Sequence, residues 1–402
     1  MKARDKLLGK LGKADLLEMY DQMLGWLGDQ QLMKKSDPHY RCIYFVTEDR
    51  YCNRDTACAA LVFMRQYLRT GVSKWKRKAE LARDYVLDVQ ADSGGYPELR
   101  GRSNSDDGSA VNTGIVADSL IRSYELGMKF GQRDLDALTR MADFVMSLEW
   151  KPGAFYHDTN HLHAYKHHTS GELLWGDGGS NVDCQNTTAL AAMSFLRISD
   201  FLRENEAKPK EEWLKAAKRA IKHLLDGQDA EGQWPYLFDI ENSGYAKWRD
   251  MGHHAMCMFC LEKCCAYPPY KDDAKIEKAL RRAGLWLTEI GLLQTKRGTK
   301  VNWALNGSAL TYFTTEYFFI AAPLLRMSVL DAKNKKFWQH ESLELMRYVR
   351  NDLWDNPEFK REGPFHLNES GIFQGYAWFG QSMGWVLYYM DHMIENMGWW
   401  KK

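Results

Sequence analysis

The stretch LDVQADSGGYP at residues 87–97 has a second copy, LDGQDAEGQWP, at residues 225–235. Both copies keep Leu-Asp, Gln, Gly and an aromatic residue followed by Pro in the same register, and each closes a helical stretch and opens a loop. A weaker echo runs from Leu293-Gln294 to Gly298, at about half of the first interval. A repeat of this length is typical of stacked helical hairpins.

The hydrophobic pattern around these turns predicts helices of two alternating kinds. The first kind carries an apolar stripe beside charged residues, as solvent-facing helices do, at residues 14–28, 73–90, 133–150, 211–228, 273–293 and 336–354. The second kind is apolar nearly all round, as buried helices are, at residues 55–68, 113–126, 187–202, 255–265, 308–325 and 373–393. Six outer and six inner helices in strict alternation predict an all-α fold, an (α/α)6 toroid formed by one domain over residues 1–402.

The composition excludes several classes of partner. A formal net charge of +1 gives no overall field that would attract nucleic acid or an acidic membrane surface. No segment has the ~18 uninterrupted apolar residues that a membrane span needs. The start of the chain is charged and lacks a signal-peptide pattern, which favours the cytoplasm for the sequence as given, or the periplasm or secretion if a signal was removed. Oligomeric state does not follow from the residues.

Eight cysteines are too few for a disulfide framework and mostly lie in predicted helices, which indicates reduced thiols. Cys257, Cys260, Cys264 and Cys265 have the spacing of a metal-ligand cluster. On a helix, however, the first three form one stripe, and buried cysteine packs as a small apolar residue. We therefore interpret them as core residues.

Polar residues begin the predicted inner helices: Asn53, Asn112, Asn186, the pair His253-His254, Asn306 and Gln374. Two interpretations stay open. Asn at a helix start caps free backbone N–H groups. A ring of helix N-termini at one end of a toroid would also form a mouth of amides, imidazoles and partial positive charge that contacts a substrate.

Long loops are expected at the same end, at residues 90–111, 151–185, 228–252 and 295–307, and loops of such length are usually functional. They contain aromatic residues whose flat faces could stack on sugar rings, although packing in the core is the commoner role. Lys296, Arg297 and Lys300 form a local basic patch, or else a solvated turn.

The turn from Gln90 to Pro97, followed by Asn112 at the start of a buried helix, resembles the Gly-Gly-aromatic-Pro turns of six-hairpin toroid enzymes that act on carbohydrates. Polysaccharide lyases and unsaturated-glucuronyl hydrolases are the nearest of these, and terpene cyclases have similar turns. The resemblance implies the toroid and a carbohydrate substrate. The Asn-Asn-His signature of alginate-lyase-type toroids is absent, and Asn160-His161 matches it only in part. The Asp-x-Asp-Asp motif of terpene cyclases and the Trp-Cys-His-Gly zinc segment of lanthionine cyclases are absent as well.

These residues predict a lyase that cleaves an acidic oligo- or polysaccharide by β-elimination, because they supply groups that stabilise an enolate together with a base and an acid. Asn112 and Asn186 would bind the uronate carboxylate. Arg249 or Arg100 would pair with it. His253 or His163 would take the proton, and Tyr236 or Tyr245 would protonate the leaving oxygen. The remaining predicted contacts to the sugar are Tyr96, His161, His167, His168, Trp234, Trp303, Glu316 and Tyr376.

Two alternatives remain. A glycoside hydrolase would use two carboxylates, taken from Asp106, Asp107, Asp183, Asp239 and Glu316. Glu316 lies within an apolar run, where an unpaired carboxylate is costly, so it either pairs with a buried arginine such as Arg54 or lines the cavity. A carbohydrate-binding or scaffold toroid without catalysis is the further alternative, since fold alone does not decide function.

No cofactor is required by this chemistry, but three histidines form one candidate metal site. His157, His161 and His163 could hold zinc, with Asp183 as a fourth ligand or behind them. Their spacing matches no established zinc signature, and a structural or substrate-binding role is the alternative.

Overall fold

The computed structural model describes residues 11–45, 50–97, 108–157, 182–235, 238–239, 244–245, 251–302, 305, 314–354, 361–362, 365–366 and 383–400. This part of the chain contains six outer helices: α1 (Lys13–Asp29), α3 (Ser73–Asp88), α5 (Gln132–Ser147), α7 (Glu211–Gly227), α9 (Ala274–Trp286) and α11 (Lys335–Tyr348). It also contains six inner helices: α2 (Asn53–Thr70), α4 (Ala110–Glu125), α6 (Gln185–Glu204), α8 (Met251–Cys264), α10 (Thr314–Leu330) and α12 (Met383–Asn396).

The inner helices form a closed ring. Each one contacts the next in chain order, and α12 returns to contact α2. The outer helices pack behind them, as in the pairs α2–α3, α6–α7 and α10–α11. The predicted (α/α)6 toroid is confirmed, and inner helices such as α4 and α6 are buried over almost their whole length.

Short antiparallel pairs connect the helices. They are β1 (Tyr44–Phe45) with β2 (Arg50–Tyr51), β3 (Glu149–Lys151) with β4 (Ala154–Phe155), β8 (Leu292–Thr295) with β9 (Gly298–Val301), and β10 (Arg361–Glu362) with β11 (Phe365–His366). A three-stranded sheet joins β5 (Val182–Asp183), β6 (Phe238–Asp239) and β7 (Gly244–Tyr245) in that order.

Several predicted helix boundaries were wrong. Two outer helices end in π-helical turns, at Leu287–Gly291 after α9 and at Val349–Trp354 after α11. Helix α10 continues past the predicted end at residue 325 to Leu330 with Pro323 inside it. Helix α8 begins four residues before the predicted start. The predicted starts of the last two inner helices, at residues 308 and 373, lie outside the described residues.

The repeated Gln of the motif ties each turn to the next outer helix. Gln90 Nε2 donates to the carbonyls of Gly94 at 2.9 Å and Ala137 at 3.0 Å. Gln228 Nε2 donates in the same way to Gly232 at 2.9 Å and Ala279 at 2.8 Å. The motif is therefore a structural repeat that joins consecutive hairpins.

The aromatic residue of the motif is buried, which corrects the prediction that Tyr96 and Trp234 stack on sugar. Tyr96 is 0% exposed, and its hydroxyl donates to the carbonyl of Val86 at 3.0 Å. Trp234 is 1% exposed, and its Nε1 donates to the carbonyl of Leu224 at 2.8 Å. Both side chains fill the space beneath the preceding outer helix, where their polar atoms find backbone partners.

A second contact attaches each turn to an inner helix. The backbone N–H of Tyr96 donates to Thr113 Oγ1 at 3.0 Å, and that of Trp234 donates to His254 Nδ1 at 3.0 Å. The side chains that accept such bonds are called the anchors here. The anchors are Thr56, Thr113, Thr188, His254 and Tyr317, one on each of α2, α4, α6, α8 and α10. His254 Nε2 also contacts the carbonyl of Ala283 at 3.2 Å, so this imidazole has a structural role.

We expect Gly232→Ala to lower the free energy of unfolding by about 3 kcal/mol. Gly232 has φ of +105°, and a Cβ there would lie 2.7 Å from the carbonyl oxygen of Arg282. The matched control is Gly71→Ala. Gly71 also has positive φ, +69°, but nothing lies within 4 Å of its Cβ position, so only the backbone cost of about 1 kcal/mol applies. Urea unfolding of both variants measures the difference, and equal losses would contradict the close contact.

The opposite ends of the inner helices carry a buried ion network. Asp391, 0% exposed, accepts from Arg65 Nε at 2.8 Å and from Arg122 Nη2 at 2.7 Å. Asp118, 1% exposed, accepts from Arg197 Nε at 3.0 Å and from Lys263 Nζ at 2.6 Å. Charged side chains from five inner helices therefore close this end of the ring.

The cysteines of α8 lie in the core, as the sequence predicts: Cys257, Cys260 and Cys264 are at most 1% exposed. All eight cysteines are free thiols. Among the described residues, no helix is both long and apolar enough to cross a bilayer.

Candidate active site

The N-terminal ends of the inner helices meet at the end of the ring opposite the ion network. The residue before each anchor lies in the first turn or two of its inner helix, and these residues are Asp55, Asn112, Thr187, His253 and Glu316. Contacts between neighbouring helices bring these turns together. We call this end of the ring the mouth.

Arg54 is the cation of the mouth. Its side chain is 7% exposed, and its guanidinium carbon lies 4.0 Å from the centroid of the Trp385 ring. Nη1 donates to Asn112 Oδ1 at 3.1 Å. Its Nε also lies 3.7 Å from Asp55 Oδ2, so the guanidinium is held by an aromatic face, a neutral amide and one carboxylate.

Asp55 is committed to the backbone. It is 0% exposed, and its Oδ1 accepts from the N–H groups of Gly384 at 2.6 Å and Trp385 at 3.3 Å. Cys52 Sγ donates to Oδ2 at 3.0 Å. Burial raises the pKa of Asp55 to about 6, although Arg54 and these hydrogen bonds oppose the shift. The carboxylate thus holds the start of α12 against α2 and also lies 3.7 Å from Arg54 Nε.

The second feature of the mouth is a set of buried amide and hydroxyl atoms that make no hydrogen bond within the described part of the chain. Asn112 Nδ2, Asn186 Oδ1, Asn53 Oδ1 and Thr187 Oγ1 are buried and have no hydrogen-bond partner among the residues that the structure describes. Buried polar groups in folded proteins nearly always have partners, so such atoms at a helix mouth indicate a polar ligand or ordered water. They do not cap their helices: at α4 the cap is Ser109, whose side chain accepts from the N–H of Asn112. The capping interpretation of the Asn residues was therefore wrong for α4.

His253 and Glu316 belong to neighbouring helices in contact. A Cβ at Gly252, the residue before His253, would lie 3.0 Å from the carboxyl carbon of Glu316. Glycine at this position therefore lets the Glu316 carboxyl approach the start of α8. His253 is half-buried and Glu316 is 6% exposed. An imidazole and a carboxyl group thus lie on adjoining first turns.

Most other predicted site residues lie outside the described residues: Arg100, His161, His163, His167, His168, Tyr236, Arg249, Trp303 and Tyr376. Asn306, Gln374, Asp106 and Asp107 lie there too. Tyr245 lies in β7, Asp183 in β5 and Asp239 in β6, so the sheet pairs these three loop segments, and only their backbones are described.

One arginine of the basic patch has an acidic partner. Arg297 forms an ion pair with Asp352 beyond α11. The sequence showed no acid nearby because the partner comes from the next hairpin, and the interpretation as a solvated turn fits this contact better.

The predicted histidine metal site is untested. Of its members only His157 is described, half-buried, with its carbonyl accepting from the N–H of Ala110 at 2.9 Å. The described residues contain no group of three or more His, Cys, Asp or Glu that could hold a metal ion.

Sequence reasoning missed two residues of the mouth. Arg54 was considered only as a partner for Glu316, and Trp385 was not singled out. The available signal was the pair Arg54-Asp55 in the first turn of a helix that is otherwise apolar over residues 57–64, where buried charges need a reason.

No protein-family model matches the chain, and no curated protein matches its sequence. Solved structures are similar to it over nearly the whole length. A D-mannose isomerase has 13% identity and a TM-score of 0.63 over 94% of this chain and 97% of that chain. The cellobiose 2-epimerase of Spirochaeta thermophila has 12% identity and a TM-score of 0.64 over 96% and 97%. An unsaturated glucuronyl hydrolase specific for heparin has 11% identity and a TM-score of 0.63 over 96% and 99%. At these identities the likeness is one of fold.

Proposed function

We propose that this protein is a carbohydrate-active enzyme that cleaves a uronate-containing glycan by β-elimination, with the mouth as its active site. The observation that carries the proposal is the set of groups on adjoining first turns: Arg54, Asn112, Asn186, His253 and Glu316. They combine a guanidinium stacked on Trp385, side-chain amide atoms without hydrogen-bond partners among the described residues, and an imidazole and a carboxyl group on neighbouring helices. The sugar-processing enzymes among the structural neighbours support a carbohydrate as the substrate.

In this proposal Arg54 and Asn112 bind the uronate carboxylate and stabilise the charge that develops on it. His253 takes the proton from the sugar carbon beside that carboxylate. The electron pair of that C–H bond forms the new carbon–carbon double bond, and the bond to the leaving oxygen breaks. The leaving oxygen takes a proton from an acid, for which Tyr236 and Tyr245 remain the candidates. Glu316 positions His253.

A second candidate is epimerisation or isomerisation of a reducing sugar. It uses the same first step, removal of a proton beside a carbonyl group, and the D-mannose isomerase and cellobiose 2-epimerase among the neighbours favour it. Hydrolysis by a carboxylate pair is the runner-up, and the glucuronyl hydrolase favours it. Of the two described carboxyl groups at the mouth, Asp55 already serves the backbone of α12.

The test is incubation in D2O with alginate, glucuronan, pectate, glycosaminoglycans, mannose and cellobiose, followed by NMR and ultraviolet absorbance. Elimination produces a conjugated double bond that absorbs in the ultraviolet. Epimerisation or isomerisation produces no unsaturation but incorporates deuterium at the sugar carbon. New reducing ends without either signal would establish hydrolysis and overturn the proposal. Binding with no change in any substrate would indicate a carbohydrate-binding toroid.

We expect Arg54→Lys to reduce kcat/KM on the uronate substrate about 10–100-fold, because lysine keeps the charge but loses the planar bidentate contact and the stacking on Trp385. The matched control is Arg203→Lys on the exposed surface of α6, where the side chain pairs only with Asp200 at 3.4 Å. Steady-state kinetics of both variants measure the effect. Unchanged kinetics in Arg54→Lys would remove Arg54 from the site.

A further inference from the structure

The C-terminal ends of the inner helices surround a pocket at the end of the ring opposite the mouth. It has a volume of about 240 Å³, which is room for an organic molecule of several heavy atoms rather than a single ion. We call it the basal pocket. The charged side chains that decide its chemistry are Arg122, Arg197, Glu262, Lys263, Arg326 and His392.

Glu262 is the first sign that the basal pocket is a binding site. It is 1% exposed, and its Oε1 has no hydrogen-bond partner. Burial raises the pKa of Glu262 well above its ordinary value, with Arg326 opposing the shift, which favours the protonated carboxyl group, a hydrogen-bond donor. Arg326 itself donates from Nη1 only to Asn396 Oδ1, at 3.3 Å, and forms no ion pair among the described residues.

Two further polar atoms of the pocket lack hydrogen-bond partners among the described residues. Arg122 is 5% exposed and uses Nη2 for Asp391, but its Nη1 has no partner. His392 Nε2 is also unpartnered, at 4.0 Å from Asp118. Burial, together with Arg122 and Lys263, lowers the pKa of His392 well below its ordinary value, so its ring is neutral. A neutral imidazole can accept a hydrogen bond from a hydroxyl group.

The charged groups around the basal pocket indicate the charge of a ligand that would bind there. Among the described residues, five cations lie around the basal pocket together with four carboxylates that are ion-paired. The cations are Arg65, Arg122, Arg197, Lys263 and Arg326, and the carboxylates are Asp118, Glu125, Asp391 and Glu395. All four carboxylates are paired with these cations, and Arg326 is the cation left over. A ligand carboxylate could therefore pair with Arg326 and share the free N–H groups of this end of the ring.

We propose that the basal pocket binds a small hydroxylated carboxylate, separately from the substrate at the mouth. Its carboxylate would pair with Arg326 and accept from Arg122 Nη1 and from the Glu262 acid. One of its hydroxyl groups would donate to His392 Nε2. The ligand thereby bridges α4, α8, α10 and α12 at the closed end of the ring. This inference rests on the described residues of the basal pocket and holds whichever reaction the mouth performs.

The test is isothermal titration calorimetry of the full chain with D-gluconate, with glucose and inorganic phosphate as comparison probes. We expect one saturable site for gluconate and binding at least about tenfold weaker for glucose, which lacks the charge, and for phosphate. Arg326→Gln should weaken gluconate binding at least about tenfold, and the exposed Arg281→Gln should not change it. Glu262→Gln should bind gluconate as well as the unchanged protein does, because the amide replaces a neutral acid.

A further variant distinguishes gluconate binding in the basal pocket from gluconate binding at the mouth. Arg54→Lys should leave gluconate binding unchanged if the ligand occupies the basal pocket. Loss of binding in Arg54→Lys but not in Arg326→Gln would place the ligand at the mouth and overturn the inference. No saturable heat with gluconate, or equal binding of all three probes in every variant, would overturn it as well.

Discussion

We expect Asp118→Asn to lower the free energy of unfolding by about 3–5 kcal/mol. Asp118 is 1% exposed and lies between three donors, Arg197 at 3.0 Å, Lys263 at 2.6 Å and the hydroxyl of Tyr388 at 2.6 Å. An amide keeps the shape but leaves the half-buried Lys263 without its counter-charge and Arg197 with Glu125 alone. Breaking a buried ion pair from one side is therefore much more costly than losing an exposed pair. Urea unfolding at neutral pH measures the loss.

The matched control is Asp143→Asn on α5. Asp143 is 41% exposed and pairs with Lys210, so we expect a loss below about 1 kcal/mol. The pH dependence gives a second readout. Burial alone would raise the pKa of Asp118, but Lys263, Arg197 and Arg122 hold it well below its ordinary value.

A carboxyl group with a lowered pKa in the folded state stabilises the protein above its ordinary pKa and loses that contribution as the pH falls further. The free energy of unfolding of the unchanged protein should therefore decrease as the pH falls below about 4. That of Asp118→Asn should decrease less over the same interval. Identical pH profiles would contradict the role of Asp118 in the network.

The architecture could be predicted from the sequence because it depends on local patterns. Apolar helices alternating with amphipathic ones are enough to place inner and outer layers, and repeated Gly and Gln residues mark the joints between hairpins. The ends of helices were less predictable. The π-helical turns at Leu287–Gly291 and Val349–Trp354 depend on packing against the next hairpin, and this leaves no trace in a short window of sequence.

The repeat extends beyond the copies that share letters. Gly153 occupies the same role as Gly94, with positive φ and a Cβ position 2.5 Å from the carbonyl oxygen of Arg219. Arg41, at φ of +85°, takes the corresponding place in the first hairpin, where Gln31 donates to its carbonyl at 3.1 Å. A non-glycine residue in this conformation cannot be found by searching for the motif.

The candidate site could be predicted in position but less well in its members. The polar starts of the inner helices do meet at one end, and Asn112, Asn186, His253 and Glu316 lie there. The aromatic residues of the turns misled the prediction, because a Gly-x-aromatic-Pro turn has the composition of an exposed loop. Tyr96 and Trp234 instead insert beneath the outer helices, a long-range packing choice that composition does not reveal.

His253→Asn is expected to reduce kcat on the uronate substrate by about 10²–10⁴-fold with little change in KM, because asparagine cannot take the proton. His253 is the half-buried imidazole next to the anchor His254, and its helix contacts Glu316 through Gly252. The matched control is His340→Asn, an exposed position on α11 that should keep full activity. Thermal unfolding of both variants should agree with the unchanged protein. Formation of the unsaturated product is the decisive readout: if His253→Asn forms it at the original rate, the base lies elsewhere at the mouth, whereas its loss in His253→Asn but not in His340→Asn supports proton removal by His253.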